Sequence, residues 1–128
     1  MKNENALQDH YQAAIKSCYD YFFRLIPGIE SMIHGLRADP ADHFESLSDA
    51  FEGIYWLALA FIRTSEAHQI VVNTDEIHSA QQAVVASLSA GDYAAVADTL
   101  ENKTLPMLRG WFDTLNQEYG YEQNNEDQ

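Results

Sequence analysis

Nine apolar residues stand in a row from Ile54 to Ile62, Ile-Tyr-Trp-Leu-Ala-Leu-Ala-Phe-Ile, inside a markedly acidic chain. An ordinary surface helix carries one apolar stripe and one polar face, whereas this stretch is apolar all round. Such a helix must be buried on every side, by its own fold or by a partner. It is far too short to span a bilayer, which needs about 20 residues.

The rest of the chain reads as helix around this run. Apolar residues recur at Leu7, Tyr11, Ala14, Cys18, Phe22, Leu25, Ile29, Met32 and Leu36. Steps of three and four mark one helical face. The series keeps phase through Pro27, so one long helix kinked near Pro27-Gly28 is expected, with two shorter helices meeting at Pro27 as the alternative. Asp39 before Pro40 reads as an N-cap with proline at the first helical position. A second helix then runs from about Pro40 to His68, with Phe44, Leu47, Phe51, Ile54, Leu57 and Phe61 inward. Asn73 or Thr74 can cap a third helix over Asp75–Ala90, marked by Ile77, Val84 and Leu88. Gly91 stops it in the left-handed manner of a C-terminal glycine. Asp92 caps a fourth helix, to about Tyr119, with Val96, Leu100, Leu108, Trp111, Phe112 and Leu115 inward and a second kink at Pro106. The expected fold is all-α: an antiparallel four-helix bundle with proline kinks in the first and last helices, occupying residues 1–120. The polar stretch 121–128 reads as an acidic disordered tail.

With 128 residues, one domain is expected. Twenty acids against seven bases give a formal charge of −13. That balance repels phosphate backbones and anionic lipid, so neither nucleic acid nor membrane is an expected partner. A basic partner is compatible with it. Cys18 is the one cysteine, which excludes an intramolecular disulfide and a cysteine-based zinc site. The opening Met1-Lys2-Asn3-Glu4-Asn5 has no apolar run of the signal-peptide kind, and a cytoplasmic location is the expectation.

Tyr19, Tyr21, Phe22 and Phe23 crowd one turn of the first helix. Successive helical positions lie about 100° apart, so the four rings cannot share one core. Tyr19 or Phe23 is expected to point elsewhere. With Tyr55, Trp56 and Leu59 they make an apolar surplus that a second copy of the chain could cover. Tyr19, Phe23, Tyr55, Trp56 and Leu59 are the expected interface, and a homodimer the expected assembly.

Residues for chemistry are sparse. The histidines are His10, His34, His43, His68 and His78. Neither Glu-x-x-His nor His-Glu-x-x-His occurs, so no metal site and no cofactor are expected. Cys18 lies on the inward stripe, where a thiol behaves as a small hydrophobe. No Gly-x-Ser-x-Gly elbow and no glycine-rich phosphate loop is found. Met32-Ile33-His34-Gly35-Leu36-Arg37-Ala38 resembles the His-x-x-Lys-Gly stretch of histidine phosphotransfer domains, which implies His34 as phosphoacceptor. Arg37 and Ala38 replace the lysine and glycine.

Two wider resemblances bear on function. Gly91-Asp92-Tyr93-Ala94-Ala95-Val96-Ala97-Asp98-Thr99-Leu100-Glu101, with Leu105-Pro106-Met107-Leu108, Trp111, Leu25-Ile26-Pro27 and Gly53-Ile54-Tyr55-Trp56-Leu57, resembles a family of small uncharacterised acidic helical proteins of bacteria. Those are packing and capping motifs, so they imply a fold and no activity. The architecture is also similar to that of flagellar and secretion export chaperones, which hold a partner's helix in an apolar groove. A non-enzymatic binding or assembly protein, chaperone-like and able to take an amphipathic helix, is the expected function. Phosphotransfer through His34 is the alternative.

Overall fold

The stripe from Tyr11 to Leu36 becomes a single helix, α1 (Lys2–Ala38), and Pro27 lies inside it. The computed structural model describes the backbone of residues 2–38 and 44–120 and the side chains of 10–38 and 46–120. Pro27 removes the N–H that the Phe23 carbonyl would accept. Both residues sit on the exposed face, where solvent can take that carbonyl instead. The inward stripe is Ile15, Cys18, Phe22, Leu25, Ile29, Met32 and Leu36. Ile15 takes the place expected for Ala14, which is exposed.

α2 (Phe44–Arg63) carries the apolar run. Leu47, Phe51, Ile54, Leu57 and Phe61 are buried along one side, as their spacing predicts. The cap expected at Asp39 and the tail expected at 121–128 lie outside the described residues. α2 ends earlier than His68. Thr64 turns its hydroxyl back on the Ala60 carbonyl at 2.8 Å, and a 3₁₀ turn follows at Ser65–Ala67. His68 then pins the connector. Its Nδ1 accepts the Ile70 N–H at 3.1 Å, so Nε2 carries the proton and donates to the Phe61 carbonyl at 2.9 Å. Burial, partly offset by the Phe61 hydrogen bond and the Glu118 charge, holds the imidazole below its ordinary range.

The side chain of Asn73 caps α3 (Thr74–Ser89) by accepting the Glu76 N–H, and Gly91 follows with φ of 71°. Asp92 caps α4 (Tyr93–Thr99) by accepting the Ala95 N–H. These caps fall where the sequence places them. A π turn, Leu100–Thr104, then leads without a break into α5 (Leu105–Tyr119), and together the three make the fourth rod of the bundle. Sequence reading expects a kink at Pro106; the structure meets that proline with a π turn immediately before it.

α1 packs against α2, α4 and α5, and α3 against α4. Residue numbers run in opposite senses along α1 and the fourth rod. Arg37 meets Asp98 and Glu101, Glu30 meets Arg109, and Tyr19 stacks on Phe112. The core between them holds Phe22, Ile29, Leu57, Phe61, Leu100, Leu108 and Leu115, all at most 1% exposed. Among the described residues, no helix is long and apolar enough to cross a membrane.

Candidate functional site

The packing of α2 decides where an apolar surplus is left. Its inner side is buried mainly against α1, Phe61 also meets Trp111 of α5 edge-on, and its contact with α3 is slight. Trp56, Leu59 and Ile62, one helical step apart, are therefore left 51%, 46% and 46% exposed. The chain's own fold does not cover the whole run. What the exposed stripe leaves open is cover by a partner.

A groove borders this stripe. It follows the seam of α1 and α2 as two clefts of about 640 and 340 Å³ that share Tyr21, Arg24 and Asp49. Small residues line it: Gly28, Ser46, Ala50 and Gly53. Trp56 forms one wall and meets the ring of Tyr21 edge-on at 5.7 Å. Asp20, Asp49 and Glu52 give the rim a negative charge. Arg24 is the basic residue of the lining, and its guanidinium rests over the Tyr21 ring. A groove of aromatic walls and carboxylate rim attracts cations, because ring faces and carboxylates both favour positive charge.

The five expected interface residues do not share one face. Tyr19 is 2% exposed and stacks on Phe112 of α5 at 5.1 Å. The fourth rod covers the flank of α1 on which Tyr19 stands, so Tyr19 is a core residue and not an outward one. Phe23 is half exposed and meets Phe112 edge-on at 5.5 Å. Tyr21 leans toward α2 and Phe23 toward α5, on opposite flanks of α1, as two positions about 200° apart must be. Tyr55 is half-buried and donates its hydroxyl to Gln81 of α3 at 3.0 Å. Trp56 and Leu59 remain, joined by Ile62.

Sequence reasoning did not place Ile62, Tyr21 or Gly53 at the site, and it did not single out the rim acids. The three-residue step from Trp56 through Leu59 to Ile62 was the available signal for the outer stripe. Nothing in the sequence brings Asp20 beside Asp49.

His34 is exposed near the end of α1. Arg37, the base that would steady a phosphoryl group beside it, is held by Asp98 at 2.8 Å and Glu101 at 3.0 Å. Hydrogen bonds to these carboxylates push the guanidinium pKa up, and the same contact with Arg37 draws Glu101 down. Cys18 is buried, and burial pushes its thiol up to about 11, so it is protonated and unreactive at neutral pH. Among the described residues, no three histidine, cysteine or acidic side chains gather around a point that could hold one metal ion.

No curated protein and no solved structure matches the chain. The stretch from residue 13 to residue 114, which includes the outer stripe of α2 and the groove beside it, matches a domain of unknown function, and the chain belongs to that family, DUF8042.

Proposed function

We propose that this chain is a non-enzymatic binding protein that holds an amphipathic helix of another protein against the outer face of α2, in the manner of a chaperone. The observation that carries the reading is the stripe of Trp56, Leu59 and Ile62, each about half exposed beside an open groove. A helix with apolar residues at i, i+3, i+4 and i+7 presents the complementary ridge. Its buried aromatic anchor would be Trp56, the residue type that dominates interface energetics.

Charge selects the partner. The groove rim carries Asp20, Asp49 and Glu52, and the whole chain has a formal charge of −13. A partner helix with lysine or arginine beside its apolar ridge gains from this field and associates faster in it. A second copy of the chain, the other occupant considered, would bring the same acids to the same edge. Phosphotransfer through His34 has less behind it, because Arg37 is engaged by two carboxylates.

Two synthetic helices test the reading, identical in apolar ridge, one flanked by lysine and one by glutamate. The lysine peptide is expected to shift the emission of Trp56 and to lose that effect in Leu59→Ser. Equal binding of the two peptides would remove the charge argument. Binding of neither, with a concentration-dependent dimer by light scattering, would hand the stripe to a second copy.

A further inference from the structure

A second site lies between α3 and the π turn, and it shares no lining residue with the groove of α1 and α2. A cleft of about 530 Å³ opens there, within the range of small-molecule sites. Glu76 and Ser79 of α3 line it from one side, and Asn102, Lys103 and Thr104 of the π turn from the other. Ala80, Pro106 and Met107 supply its apolar surface.

Thr104 is the observation that points to a ligand. A buried helical threonine ordinarily turns its hydroxyl back on the carbonyl four residues earlier. Thr64, Thr99 and Thr114 all do so, onto Ala60, Ala95 and Gly110 at 2.8, 3.1 and 2.9 Å. Thr104 does not. The carbonyl four residues behind it belongs to Leu100; in the π turn it is turned to the N–H of Leu105, five residues on, and Thr104 Oγ1 makes no hydrogen bond to it. Thr104 is 2% exposed, and among the described residues its Oγ1 has no hydrogen-bond partner. Pro106 follows two residues on and has no N–H, so a carbonyl of the same turn also lacks its helical donor. Buried polar groups are nearly always satisfied, and π turns recur at functional sites. Here a π turn leaves hydrogen-bonding capacity immediately behind the wall of a cleft that Thr104 lines.

The lining defines the ligand. Lys103 brings one positive charge and Glu76 one negative, and among the described residues neither makes an ion pair. A simple anion would meet Glu76 and a strongly acidic chain. A simple cation would leave Lys103 opposed. A small molecule with both charges satisfies the two, while Ser79, Asn102 and Thr104 serve its polar atoms and Met107 its apolar part. We propose that the cleft between α3 and the π turn binds a free amino acid or a zwitterion of similar size, carboxylate toward Lys103 and ammonium toward Glu76, with Thr104 Oγ1 completing the hydrogen bonding.

The test uses the full chain and the proteinogenic L-amino acids, each at millimolar concentration, read by thermal shift and by backbone amide resonances. At least one is expected to raise the melting temperature and to move the resonances of residues 76–80 and 102–107. Thr104→Val keeps the shape and removes the hydroxyl. It should fold with a melting temperature equal to or above that of the unaltered chain, since it deletes an unsatisfied buried group. Its affinity for the same amino acid should fall at least about tenfold. If none of the amino acids moves those resonances, or Thr104→Val binds as tightly, the proposal is overturned. If the corresponding amine or the corresponding carboxylic acid binds equally well, the zwitterion assignment is overturned.

Discussion

The hydroxyl of Tyr21 occupies the space that a side chain on Gly53 would need: a Cβ built there would overlap Tyr21 Oη. Glycine inside a helix costs about 1 kcal/mol relative to alanine. At position 53 that cost is offset by a close approach of α1 and α2, which sets Tyr21 against Trp56 at the groove.

A double-mutant cycle reads this coupling. Gly53→Ala alone gains about 1 kcal/mol of helix propensity and loses about 1–3 kcal/mol to overpacking, so a net loss is expected. In a Tyr21→Ala background the obstruction is gone and the same change should stabilise by roughly the propensity term. Chemical denaturation of the four variants gives both numbers. Identical effects in the two backgrounds would mean that Tyr21 simply swings aside.

The difference between Tyr19 and Trp56 shows how far sequence carried and where it stopped. Periodicity placed Phe22, Ile29, Leu57 and Phe61 in the core, and capping chemistry placed Asn73, Gly91 and Asp92, because each depends on a few local residues. Which flank of α1 is covered depends on Phe112, far away in sequence, so Tyr19 was read as outward. The same reason hid the groove, whose walls come from two helices. The π turn left only a faint trace, in the spacing of the inward residues.

Those two aromatics should respond oppositely to truncation. Tyr19→Ala removes a buried ring stacked on Phe112 and should cost about 3–5 kcal/mol. Trp56→Ser, on the exposed stripe, should cost the isolated chain only about 1 kcal/mol, chiefly the edge-on contact with Tyr21. Thermal melts of both variants decide the assignment. A large loss in Trp56→Ser would place that ring in the core and empty the docking face.

His68 predicts a pH dependence. It is neutral in the fold, held by the Ile70 N–H on Nδ1 and by burial. Its folded pKa is therefore below the ordinary value of 6.5, so the unfolded chain binds the extra proton first as pH falls. Stability from this group is fully present above about 6.5 and is lost as pH falls from there to the folded value. The drop should be visible before the carboxylates titrate, and His68→Gln should remove it. Guanidine titrations at stepped pH measure both. An unchanged drop in His68→Gln would assign it to other groups.

The π turn has two candidate causes, and they can be separated. Val96, Leu100, Thr104 and Leu108 are all buried, each four residues after the last. A regular helix turns once in 3.6 residues, so each step of four falls about 40° off phase, and three steps about 120°. A wider turn absorbs that drift and keeps Leu108, Trp111 and Leu115 on the core. Pro106 could instead force the turn by clashing with the preceding carbonyls. If the core register is the cause, Pro106→Ala keeps the π turn and Thr104 Oγ1 stays without a partner. The restored N–H then adds about 1 kcal/mol of stability, and Trp111 fluorescence is unchanged. If the proline is the cause, the variant returns to a regular helix. Thr104 then bonds back to Leu100, and Trp111 turns away from Phe61, which it now meets edge-on at 5.7 Å. Amide exchange across residues 100–106 in Pro106→Ala, read with the Trp111 emission, distinguishes the two.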